Sequence, residues 1–270
     1  MRKISAVIFL SFAWYSIVVS QRTVPNSGVF WAPMTINNVT AWYSSDGKQE
    51  ASNSTLKIVG VSYPRNTVST VYTSGFLFGG DRIDTGNAKT FVNGGYYSST
   101  LRQGSILGLQ TGLAENYLAP QLRIWRIRKD YTTADLRRDA AETYGIMESS
   151  VSVMDIQRLR TEYKKDWKEW PGASGAPYYD ANKNGIYDPK FMYNEFGVEV
   201  PDTTSDSPGV ADADQVIWYV CNDLGGNSPW GTASIGMEMQ VTVWGFNTSG
   251  ALANTLFRRC RLIFRWMEKS

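Results

Sequence analysis

Between positions 180 and 188 the chain sets four oxygen-bearing side chains around one glycine, in the run Asp180-Ala181-Asn182-Lys183-Asn184-Gly185-Ile186-Tyr187-Asp188-Pro189. A hard cation such as calcium takes roughly six to eight oxygens on a tightly curled backbone, and this spacing supplies most of them. Asp180, Asn182 and Asn184 would point inward, Ile186 would offer its carbonyl, and Asp188 would bind directly or through a water. Gly185 permits the sharp turn between the two halves. Asn and Gly favour plain turns on their own account. Four aligned oxygen side chains together with the glycine select ion binding over an empty turn. The expected role is structural, because calcium brings no redox chemistry and no nucleophile flanks the loop.

Phe191 stands at the twelfth position, where an EF-hand loop carries a bidentate glutamate. The missing oxygens must therefore come from outside the loop, with Glu195, Asp212 and Asp214 as candidates, or from water.

Other chemistry is narrowed by what the chain lacks. It contains no histidine, which removes the commonest general base, the Ser/His and Cys/His nucleophile pairs and the imidazole ligands of most zinc and copper sites. Glycosidases work with two carboxylates and no histidine, and Glu238 with Glu169 or Asp166 is the pair to test for that. Trp167, Trp170, Trp218, Trp230 and Trp244 are the candidate rings for stacking against a sugar, or alternatively core side chains. Cys221 and Cys260 are the only cysteines. They either form a disulfide or pack as two reduced thiols in neighbouring strands.

These residues have to be positioned by a mainly β framework. Residues 21–110 alternate short runs rich in Val, Ile, Thr and aromatics, such as 56–63 and 68–78, with turn clusters at Tyr63-Pro64-Arg65-Asn66, Gly79-Gly80-Asp81 and Asn93-Gly94-Gly95. Residues 122–128 read as a strand of imperfect alternation. Good helix formers at 133–142 follow Thr133, a possible first-turn cap. A second helix is predicted at 154–170, with Ile156, Leu159, Tyr163 and Trp167 on one face and Pro171-Gly172 ending it. The cation loop follows, then an acidic linker at 195–214.

Three further strands are predicted. Residues 215–221 read as a buried strand. Residues 237–246 carry Met239, Val241 and Val243 on one face and Glu238, Gln240 and Thr242 on the other. Residues 256–266 carry Leu256, Cys260, Leu262, Phe264 and Trp266 against Arg259, Arg261 and Arg265. The predicted architecture is an antiparallel β-sandwich, jelly-roll-like, forming one domain over 21–270 with a helical insertion at 133–170.

The N-terminus reads as an export signal over residues 1–20: Arg2 and Lys3, then an apolar run, then small residues before Gln21. No later run is apolar and long enough to cross a bilayer. The net charge of +2 gives no reason to expect nucleic acid as a partner. Richness in Gly, Ser, Thr, Asn, Tyr and Trp suits an extracellular β-rich protein. Secretion or display at the cell surface is the expected destination.

Several stretches together resemble the N-terminal regions of large exported proteins of bacteria that use type IX secretion. They are Val71-Tyr72-Thr73-Ser74-Gly75-Phe76-Leu77-Phe78-Gly79-Gly80, Ile127-Arg128-Lys129-Asp130-Tyr131, Trp167-Lys168-Glu169-Trp170-Pro171, Ala213-Asp214-Gln215-Val216-Ile217-Trp218, and Ile235-Gly236-Met237-Glu238-Met239-Gln240 running on to Trp244-Gly245. The loop itself is similar to the aspartate-rich loops of dockerin and thrombospondin type 3 repeats. The first resemblance implies export and a β-rich extracellular module, and carries over no catalytic residue. The expected function is a structural or adhesive module stabilised by calcium, with an extracellular glycan or a surface protein as partner. The alternatives are a carbohydrate-binding module and a glycan hydrolase using paired carboxylates.

Overall fold

In the computed structural model, which describes residues 21–23, 27–84, 87–96, 101–108, 112–224 and 231–265, the chain is mainly antiparallel β structure with two α-helices. The leader expected at 1–20, Trp230 and Trp266 lie outside the described residues. The first sheet is a meander of consecutive strands, β1 (Arg22–Thr23), β2 (Phe30–Met34), β3 (Thr40–Ser44), β4 (Val61–Ser62) and β5 (Ser69–Val71). A long hairpin follows, β6 (Phe76–Asp84) with β7 (Asn87–Gly95). Next come β8 (Arg102–Gln103), β9 (Trp125–Arg128), α1 (Arg137–Tyr144) and α2 (Val153–Lys168).

The region expected to be an acidic linker holds short strands instead. β10 (Tyr178–Tyr179) pairs with β13 (Ser207–Pro208), and β11 (Phe191–Tyr193) pairs with β12 (Glu199–Pro201). The last strands are β14 (Gln215–Asn222), β15 (Met237–Gly245) and β16 (Leu256–Phe264). They form the second sheet in the order β16-β15-β14, with β8 and β9 both paired to β14.

The second sheet is covered on both faces. Ile217, Tyr219, Cys221, Met239, Val241 and Val243 pack against Phe30, Ala32, Met34, Ala41 and Tyr43 of the first sheet. The opposite face packs Val216, Trp218 and Val220 against Leu136, Ala140, Leu159, Tyr163 and Trp167 of the helical layer. Every residue of β14 is buried as a result. The two-residue alternation in β15 therefore does not separate core from water. Glu238, Gln240 and Thr242, read from the sequence as a polar outer face, are all buried.

Helix α2 forms for local reasons. Ser152 accepts from the Asp155 N–H and Asp155 reaches back to the Ser152 N–H, a capping box. Leu159, Tyr163 and Trp167 recur at four-residue spacing and are buried, as the sequence predicts. Helix α1 starts later than expected. Thr133 and Ala134 are held in a turn on the Asp130 carbonyl, so Thr133 caps nothing, and Asp135 Oδ1 takes the Arg137 N–H at 3.0 Å. Gly145 ends α1 in the left-handed region at φ 67°, donating to the Ala141 carbonyl.

The two cysteines are free. Cys221 of β14 lies opposite Met239, and Cys260 of β16 lies opposite Val241, so β15 runs between them. Two strand spacings of about 4.8 Å separate the backbones, beyond the roughly 7 Å that a disulfide can bridge. The reduced alternative holds, and burial pushes the Cys221 thiol well above its ordinary range.

Candidate metal centre

The loop after α2 folds on its own side chains. Asp180 Oδ1 and Asn182 Oδ1 both accept from the Asn184 N–H, at 3.2 and 3.0 Å, so these two oxygens converge on one point. Asp180 Oδ2 accepts from the Gly185 N–H at 2.7 Å, and Asn184 Oδ1 accepts from the Ile186 N–H at 2.7 Å. The Asn182 amide donates to Asp188 Oδ1 at 3.2 Å, which brings the far end of the loop back to its start. Lys183 and Gly185 adopt positive φ, 59° and 76°. At Gly185 an added side chain would meet no neighbouring atom, so the glycine answers a backbone requirement rather than a packing one.

Asp206 closes the loop from outside. It is buried, and its two carboxylate oxygens accept from the N–H groups of Ala181 (2.9 Å) and Asp188 (3.0 Å). The Asp188 N–H is the main cause holding this carboxyl below its ordinary range, against a smaller opposing effect of burial. The loop is tied to α2 as well, where the Tyr187 hydroxyl donates to the Trp167 carbonyl at 2.6 Å.

Of the outside oxygens considered from the sequence, Asp214 is engaged elsewhere, accepting from the Asn247 N–H at 2.7 Å. The sequence reading passed over Asp206, although its place before β13, which pairs with the strand leading into the loop, is what brings it there.

The donor set is all oxygen: two carboxylates, two side-chain amides and the Ile186 carbonyl. That chemistry fits a hard cation and no soft one. Among the described residues no group of three or more His, Cys, Asp or Glu is placed to hold a metal ion. A cation held here would therefore need amide and backbone oxygens beside Asp180 and Asp188.

A second polar cluster lies between the helical layer and the sheets. Asp139 of α1 accepts from Arg65 on one oxygen and from Arg128 Nη1 of β9 at 2.7 Å on the other. Glu142 accepts from Arg65 Nε at 2.6 Å and from the Thr40 hydroxyl of β3 at 2.8 Å. Asp139 is 2% exposed, and Arg65 and Arg128 are nearly as enclosed. Burial holds Glu142 above the ordinary carboxylate range, with Arg65 pulling it back. Asp166 of α2 likewise accepts from Arg123 Nε at 2.8 Å and from the Arg126 N–H at 2.9 Å. Each carboxylate here is the fixed acceptor of a named donor, the arrangement a buried charge requires.

The carboxylates considered for glycosidase chemistry are engaged in the same way. Glu238 is fully buried and accepts from the Ile106 N–H (3.0 Å), Gln240 (3.0 Å) and Arg265 (3.1 Å). Asp166 serves Arg123 and Arg126, and Glu169 accepts from Arg123 at 3.0 Å. Trp167, Trp170 and Trp218 are core side chains, and Trp244 stacks on Phe257 with ring centroids 5.6 Å apart. None of these three buried rings is available to a sugar. Compared with models of protein families, with curated proteins and with solved structures, the chain matches none of them.

Proposed function

We propose that the chain is an exported structural or adhesive module, secreted or held at the cell surface, whose loop at 180–188 is stabilised by calcium and which performs no catalysis. The observation that carries this reading is the loop itself. The oxygens of Asp180 and Asn182 meet at one backbone N–H, Asp188 is drawn to Asn182, and the two ends are fastened by Asp206. Asp180, Asn182, Asn184, Asp188 and the Ile186 carbonyl would hold the ion, which supplies positive charge for the loop carboxylates and no reaction. The capture of Glu238, Asp166 and Glu169 by arginines and backbone donors supports a scaffold over a hydrolase.

The test is thermal unfolding with calcium and with chelator. At a calcium concentration a hundredfold above the dissociation constant, stabilisation is about 2.7 kcal/mol. Asp180→Ala and Asp188→Ala are expected to abolish the difference between calcium and chelator. A melting temperature indifferent to calcium in the parent protein removes the metal from the reading.

A further inference from the structure

Among the described residues β16, nine residues long, is the end strand of the second sheet and pairs on one side only. Register identifies which groups are free. The Arg265 N–H donates to the Gly236 carbonyl, so residues of odd number on this strand bond inward to β15. The N–H and C=O groups of Arg258, Cys260, Leu262 and Phe264 then point away from the sheet, and among the described residues they meet no backbone partner. Side chains alternate along the same strand. Cys260 packs on the inter-sheet core, and Leu262 and Phe264, which share its face, are 37% and 55% exposed. Arg259 and Arg261 lie on the other face, opposite Thr242 and Gln240, exposed and without an ion-pair partner among the described residues.

We propose that this edge accepts an additional antiparallel strand from a partner polypeptide that alternates apolar and acidic residues. Its backbone would pair with the outward N–H and C=O groups of these four residues, its apolar side chains would cover Leu262 and Phe264, and its carboxylates would lie across from Arg259 and Arg261. Charge selects this occupant over a second copy. In the register centred on Cys260, pairing β16 with itself about a two-fold axis would set Arg259 directly opposite Arg261 of the other copy, and like charges directly opposite destabilise a sheet. The inference deepens the adhesive reading and rests on it, but it does not depend on the cation loop.

The probe is a seven-residue peptide alternating valine and glutamate, with a valine–lysine peptide as control, added to the purified protein and followed by amide hydrogen exchange. Exchange at Arg258, Cys260, Leu262 and Phe264 is expected to slow about tenfold or more with the acidic peptide, and not with the basic one. Leu262→Pro removes one outward N–H and no inward bond, so it is expected to keep the fold and lose the protection. Should that variant unfold, Arg259→Glu with Arg261→Glu serves instead, and is expected to transfer the protection to the valine–lysine peptide. The proposal is overturned if neither peptide protects these amides, if both do equally, or if they are protected without peptide in a self-associated form. Equal protection by an acidic polysaccharide also overturns it. Failure here with the calcium response intact removes the strand partner alone and leaves the module reading standing.

Discussion

The buried cluster of Arg65, Arg128, Asp139 and Glu142 and the exposed loop at 180–188 are made from similar groups and do opposite things with them. In the cluster, charge is matched by charge within the protein, and the partners come from different layers: β9, α1 and the turn after β4. In the loop, among the described residues, Asp180 and Asp188 receive amide donors from within nine residues and no cationic side chain. A site that satisfies its own carboxylates joins two parts of a fold permanently. A site that leaves them short of positive charge is the one that, on the proposed reading, an ion would complete. The helical layer is thus fastened to the sheets by arginines, and the loop is fastened to the start of β13 through Asp206 and to α2 through Tyr187.

The largest expected effect breaks the permanent joint. Asp139→Ala removes the acceptor shared by Arg65 and Arg128, which keep Glu142 and Asp130 respectively, so the cost falls at the lower end of the roughly 3–5 kcal/mol for breaking a buried pair. Urea unfolding measures it. A cost no larger than that of Asp180→Ala in chelator would erase the distinction between the two regions.

Next in size is Asp206→Ala, which orphans the Ala181 and Asp188 N–H groups and is expected to cost about 1–3 kcal/mol. It should also weaken the calcium response, since Asp206 sets the loop ends without being one of the oxygens that hold the ion. Isothermal titration with calcium separates the two consequences.

The two regions are further expected to respond to pH with opposite sign. Asp206 has a folded-state pKa below its ordinary value, so its contribution is complete above the ordinary aspartate range and is lost as the pH falls through the folded value. Glu142 has a folded-state pKa above its ordinary value. Its contribution is complete below the ordinary glutamate range and is lost as the pH rises through the folded value. Unfolding midpoints between about pH 2 and 7 should therefore show a shallower acid limb in Asp206→Asn and a shallower decline above it in Glu142→Gln. Matching changes in both variants would contradict the contrast in environment.

The smallest effect concerns Cys221 and Cys260. Reducing agent is expected to leave the melting temperature unchanged, because β15 keeps the thiols apart. A lower melting temperature on reduction would show a bridge.

The same contrast explains what the sequence disclosed. The tight turn at 180–188 was legible because its spacing is local: Asp180, Asn182, Asn184, Gly185 and Asp188 are close neighbours along the chain. β14, β15, β16 and the buried face of α2 were legible too, since their periodicity is carried by consecutive residues. The arginine cluster was not. Arg65 and Asp139 are 74 residues apart and Thr40 and Glu142 are 102 apart, and no local pattern marks such partners. Glu238, Gln240 and Thr242 misled for a related reason. Their alternation with Met239 and Val241 fits a half-exposed strand, but covering layers on both sides of the second sheet leave no water face. Asp206 went unseen because only the pairing of β10 with β13 carries it to the loop.

Amide hydrogen exchange with and without calcium tests the central contrast most directly, because it reads both regions in one experiment. Calcium is expected to slow exchange in the loop and its anchors, from Ala181 to Asp188 and around Asp206, and to leave α1 and α2 unchanged. No change at the loop, or equal protection of loop and helices, would contradict a conditional clamp beside a permanent joint.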